Sequence, residues 1–164
     1  GAFVCDYRRK GTVETLVAIM RYNGGAMRKN EVESLLQVRE SLECLCVKLV
    51  IEHSNTNELK SLQESIDKMK VSNTPDKLSN IVFEFHHELA AISGNMLLPL
   101  LYHSFKTESL YLWKMSCRRF GCDQLITVKT KLYEAILNKN LDKAIEITKN
   151  SVQSALKELS EYVS

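Results

Sequence analysis

Apolar positions recur along this chain at spacings of three and four, the period of a helix with one face turned to a core. Thr12 is placed to cap a short helix carrying Val13, Leu16, Val17 and Met20 on one face, stopped by Asn23, Gly24 and Gly25. A long helix from Glu31 to His53 follows, with the stripe Val32, Leu35, Leu36, Leu42, Leu45, Cys46, Leu49 and Val50. A polar amphipathic helix near 56–70 comes next, then a break from Ser72 to Pro75. The next helix, near 76–92, carries Leu78, Ile81, Val82, Phe85 and Leu89 and ends at Ser93, Gly94 and Asn95. Met96 to Phe120, the most hydrophobic stretch and the one holding Trp113, reads as a central long helix ended by Gly121. Two further helices are expected near 123–138 (Leu125, Val128, Leu132, Ile136) and 141–163 (Leu141, Ile145, Thr148, Val152, Ala155, Leu159, Val163), joined by a turn at Asn138 to Asn140.

The pattern predicts an all-α fold, an antiparallel bundle of six or seven helices with short connections. No alternating run is long enough to demand a sheet, and there is no internal repeat or low-complexity tract. Residues 3–11 read as an irregular lead-in with a basic cluster at Arg8, Arg9 and Lys10.

Composition narrows the function classes. A length of 164 residues with 45% hydrophobic content suits one domain. Six Gly and two Pro are few for a sandwich, a barrel or a dinucleotide-binding unit. The 22 basic and 20 acidic residues leave a net charge of +2, far from the bias of a chain that holds nucleic acid by itself. Cys5, Cys44, Cys46, Cys117 and Cys122 are odd in number and none stands in a CxxC spacing, which points to reduced thiols and a cytoplasmic protein. No apolar run reaches the roughly 18 to 20 residues of a membrane span, and no signal core opens the chain, so no membrane partner is expected. Gly1 in place of an initiator Met reads as a tag remnant on a piece of a longer protein.

Four polar residues share core-facing stripes. Arg39 sits among Leu35, Leu36 and Leu42, with Glu43 one turn on; His86 lies between Phe85 and Leu89, and Lys129 between Leu125 and Leu132. A buried charge without a partner costs several kcal/mol, so such groups either pair internally or open onto a polar cavity. His87 points about a hundred degrees from His86 and is expected at the surface, as are His53 and His103. Glu84 and Glu88 read as a solvated face. No HExxH, G-x-S-x-G, P-loop, dinucleotide fingerprint or paired CxxC is present, so no catalytic residues are assigned and the chain is not read as an enzyme.

The segments LLQVRESLECLCVKLV (35–50), FHHELAAISGN (85–95) and KLYEAILNKNLDKAIEI (131–147) together resemble the FCD effector domain of GntR-superfamily transcription regulators, FadR subfamily. Arg39 and Glu43 match an R-x-x-x-E, Phe85 and His86 an F-H, Ser93 to Asn95 an S-G-N, and Ala135 and Ile136 an A-I pair. The opening DYRRKGTVETLVAIM (6–20) is similar to the linker and first effector helix of the subfamily's fatty-acid-responsive branch. The resemblance implies residues 1–11 as a linker from a missing N-terminal winged helix-turn-helix, and 12–164 as a ligand-binding and dimerisation domain. It implies a homodimer that meets operator DNA only through the missing domain, so this chain is not expected to bind an operator alone.

Many FCD domains hold a divalent metal at four places that here carry Val82, His86, Lys129 and Ser151. A single imidazole cannot supply a transition-metal site, so no metal and no cofactor is expected. Lys129 could replace the metal's charge, with Arg39 as a fork for carboxylate or phosphate, or it could simply pair with Glu43 or Glu134. The expected ligand is a small anionic metabolite or an acyl-CoA, held by Arg39, Glu43, His86, Asn95, Trp113 and Lys129, with Leu97, Leu101, Phe105 and Trp113 as the apolar wall. The alternatives are a metal-dependent carboxylate sensor recruiting His87 or His103, a helical enzyme with His86 as base, and a structural module without a cavity.

Overall fold

The computed structural model describes residues 7–22, 28–72 and 74–160. Among them are nine helical segments and no strand: α1 (Tyr7–Lys10), α2 (Val13–Tyr22), α3 (Lys29–His53), α4 (Lys60–Lys70), α5 (Pro75–Ile92), α6 (Leu98–Ser104), α7 (Lys106–Phe120), α8 (Cys122–Leu137) and α9 (Leu141–Ser160). The all-α bundle expected from the periodicity is therefore the fold. No helix among the described residues is long and apolar enough to cross a membrane.

Helix boundaries follow local chemistry where that chemistry is strong. Thr74 accepts the Lys77 amide through its hydroxyl and Pro75 opens α5, where a missing N–H costs nothing. The turn after α8 is a Schellman arrangement: the Asn140 amide donates to the Ala135 carbonyl and the Lys139 amide to that of Ile136. Lys139 takes the left-handed conformation at φ 53° that glycine usually fills there. Gly94 and Gly121, at φ 74° and 87°, close α5 and α7.

Three expectations change. The lead-in is not wholly irregular, because Tyr7–Lys10 form a helical turn. The segment 96–120 is two helices, broken at Phe105 (φ −101°, ψ 16°), with no glycine or proline to mark the break. Nor is that segment the centre. Met96, Leu97, Leu100 and Leu101 are exposed, whereas α5 buries Leu78, Val82, Phe83, Phe85, Leu89 and Ala90 and packs against α4, α6 and α7. Hydropathy counts apolar residues but not the faces they occupy, and the bend at Phe105 turns part of the stretch outward. Within α3, Leu45 is exposed while Val47 and Ile51 are buried, since α9 and α5 cover two sides of this helix. The stop at Asn23 to Gly25 and Val163 lie outside the described residues, as do the side chains of Leu16, Met20 and Leu159.

The main core gathers α3 to α9 around α5. A second cluster joins Val32, Leu35 and Leu36 of α3 to Leu112 of α7 and Val152 of α9. The candidate site lies where the two clusters meet.

Candidate functional site

Arg39 and Glu43 stand one turn apart in mid-α3, His86 in mid-α5, Trp113 in α7 and Lys129 in mid-α8. All five are buried, because each shares the stripe of apolar residues that packs its helix. The Arg39 Nη2 donates to Glu43 Oε1 at 2.8 Å. The same carboxylate oxygen lies 3.7 Å from His86 Nδ1, too far for a hydrogen bond. The His86 ring runs nearly parallel to that of Trp113 (centroids 5.4 Å, 12°) and that of Tyr102 (6.2 Å, 9°). Arg39 places its guanidinium carbon 4.6 Å from the Trp113 ring centre. No carboxylate oxygen among the described residues comes within 4.0 Å of the Lys129 ammonium, so it is ion-paired with neither Glu43 nor Glu134.

Two cations, Arg39 and Lys129, are thus buried beside the Glu43 carboxylate. Burial by itself would raise the Glu43 carboxyl, but His86, Arg39 and Lys129 outweigh it and hold the group at about 2. Burial presses His86 down to about 3 against the pull of Glu43, with Lys129 and Arg39 adding to the depression. Burial also lowers Lys129 to about 8, opposed by Glu43 and helped by Arg39. At neutral pH the cluster therefore holds Arg39 and most of Lys129 charged, Glu43 ionised and His86 neutral. The Arg39 Nε and both His86 nitrogens have no hydrogen-bond partner among the described residues.

A cavity of about 630 Å³ opens beside this cluster between α3, α7, α8 and α9. Leu36, Leu112, Leu125, Val128, Ile147 and Val152 supply its apolar wall, and it is also lined by the buried Arg39 and Trp113 and by the exposed Lys131, Glu134, Lys143 and Glu146. Glu43, His86 and Lys129 do not line it.

The structure thus brings five of the six expected site residues together and leaves Asn95 apart. Its carboxamide oxygen is taken by the amides of Leu97 and Leu98 at the start of α6, and it does not line the cavity. The expected apolar wall is also recomposed: Leu97 and Leu101 face outward, and of the four residues named only Trp113 borders the cavity. Sequence reading missed Tyr102, which stacks on His86, and the buried Glu108 in the first turn of α7. With the break placed at Phe105, both become legible: Tyr102 lies one turn after the buried Leu98, and Glu108 one turn before the buried Leu112.

The donor set does not fit the metal that the resemblance implies at this place. Val82 has no lone pair to give, Lys129 brings a positive charge, and only His86 is a ligand of the usual type. His87 and His103 cannot make up the number at His86, since they gather instead around Phe83, with His87 stacked on it at 5.7 Å. Among the described residues no group of three or more His, Cys, Asp or Glu is placed to hold a metal ion. Dialysed protein is expected to carry no stoichiometric transition metal by plasma elemental analysis. About one zinc, nickel or manganese per chain, lost in His86→Ala, would contradict this.

Comparison with curated proteins gives no match. The family model of the FCD domain matches residues 34–154, from within α3 to within α9, and so takes in the whole charged cluster and most of the residues that line the cavity. With an all-helical bundle and this match over most of its length, the chain belongs to the FCD domain family, whose members are effector-binding domains of GntR-family regulators.

Proposed function

We propose that this domain senses an anionic, acyl-bearing metabolite, a long-chain acyl-CoA first among them, for a GntR-family transcription regulator. In this reading the domain acts in the cytoplasm as a homodimer, and operator DNA is read by a domain outside this chain. The observation that carries the proposal is a cavity bordered by Arg39 and by a set of aliphatic side chains, with Lys129 buried in the adjoining cluster and no carboxylate within ion-pair distance of its ammonium. Leaving two cations against one carboxylate in the core costs stability, and an incoming acidic group relieves that imbalance.

The dimensions agree with a small ligand or part of a larger one. About 630 Å³ is within the range of metabolite pockets. His86 supports sensing over catalysis: a fully buried base held at about 3 is poorly matched to proton transfer near neutrality. The effector would regulate by binding more tightly to one arrangement of the dimer than to the other.

Isothermal titration of the 164-residue chain tests the reading. A long-chain acyl-CoA is expected to bind more tightly than acetyl-CoA or a free two- to six-carbon acid. Arg39→Ala should lose about 1–3 kcal/mol of that binding, the worth of one charge-assisted contact. Equal or tighter binding of citrate, lactate or gluconate would replace acyl-CoA by a small acid in the same cavity.

A further inference from the structure

Four of the eleven large apolar side chains exposed among the described residues fall within six consecutive positions: Met96 (87%), Leu97 (65%), Leu100 (64%) and Leu101 (36%). The short helix α6 is the cause. Leu98 and Tyr102, one turn apart, point into the main core, which leaves Leu97, Leu100, Leu101 and Ser104, at spacings of three and four, on the opposite face. Among the described residues α6 packs mainly on α5 and α7, and no third helix covers that face to a comparable extent. The four side chains leave roughly 400–500 Å² of apolar surface in water, the size of the largest patch on a monomer and often an interaction site.

The chemistry of the face narrows what covers it. From Leu89 to Phe105 there is no Asp, Glu, Lys or Arg. A lipid surface recruits a helix through Lys and Arg beside its apolar side, and a partner chosen by charge needs charge to read; α6 offers neither. An uncharged apolar face can meet its own copy without like-charge repulsion, as a two-fold contact requires, because there each patch faces itself. We infer that α6 is a self-association surface, on which a second copy of this chain lays its own α6 antiparallel.

With the axis between Leu100 and Leu101, Leu100 of each copy meets the other's Leu101, and Leu97 packs over the small Ser104. Two such faces remove roughly 800–1,000 Å² of apolar surface, which with its rim reaches the size a specific interface needs. The inference rests on the homodimer of the proposed function but not on its effector, since no residue of α6 lines the cavity.

Analytical ultracentrifugation of the 164-residue chain tests the surface. The wild type should sediment as a dimer. Leu97→Glu and Leu100→Glu should each weaken association at least about a hundredfold, since a two-fold axis places every introduced carboxylate in the apolar contact twice. Both positions are exposed in the single chain, so neither change buries a charge there, and circular dichroism checks that the helices persist. Val71→Glu, at an apolar position 83% exposed just after α4, should stay dimeric. Met96 gives a second readout: hydroxyl-radical footprinting should oxidise it more slowly in the wild-type dimer than in Leu100→Glu. A dimer that both Glu variants preserve would overturn the assignment to α6 and leave the homodimer standing, whereas a monomeric wild type would remove both. A monomer that floats with phosphatidylcholine vesicles would give the face to a lipid surface instead.

Discussion

Glu43→Gln is expected to cost about 3–5 kcal/mol of folding stability, the range for removing one partner of a buried ionic group. Gln preserves the volume and still accepts the 2.8 Å hydrogen bond from Arg39, but it removes the one negative charge of the cluster that holds Arg39 and Lys129. Urea unfolding at pH 7 measures the loss, and a change below about 1 kcal/mol, the worth of an exposed pair, would remove Glu43 from this role. The pH dependence gives an independent check. The Glu43 carboxyl is depressed from 4.5 to about 2, so its contribution is complete above 4.5 and is lost as pH falls through 2. His86 is depressed from 6.5 to about 3, so the unfolded chain takes up a proton that the folded one refuses, and stability declines as pH drops from 6.5 towards 3. The wild type should therefore weaken in two overlapping stages, of which Glu43→Gln retains only the one due to His86.

Lys129→Met should act in the opposite direction, making the ligand-free domain more stable by about 3 kcal/mol at pH 7, from a lysine lowered by burial from 10.5 to about 8. Methionine fills similar space without a charge, and Glu43 keeps Arg39 as its partner. The sign can be verified against pH: the cost of a charged Lys129 is full below 8 and is relieved as pH rises from 8 towards 10.5, so the gap between variant and wild type should narrow there. The same variant should bind long-chain acyl-CoA more weakly, because it removes a positive charge from the cluster beside the cavity, which Lys129 itself does not line. A variant that is less stable and binds normally would make Lys129 a structural residue with no part in binding.

The two substitutions separate the cluster's roles. Glu43 holds the folded state together, whereas Lys129 is a burden on it, and a burden of that kind is consistent with a group kept for its ligand. Arg39 belongs to both, since it is paired to Glu43 and borders the cavity.

Helix existence and the burial of Arg39, Glu43, His86 and Lys129 were legible in the chain, because each depends on residue type and on a period of 3.6 residues. The mutual arrangement was not. Nothing local marks the break at Phe105, so the register of Tyr102 and Glu108 was hidden and Leu97 and Leu101 were assigned to an inner wall they do not form. Asn95 shared a motif with its neighbours, but only the packed turn showed its side chain committed to the start of α6. That Lys129 stands beyond ion-pair reach of Glu43 and Glu134, and that Arg39 rather than His86 borders the cavity, were decided by how α3, α5, α7 and α8 dock. A one-dimensional pattern specifies which face of each helix turns inward; the distances between groups on different helices come from side-chain packing across them, which no single helix encodes.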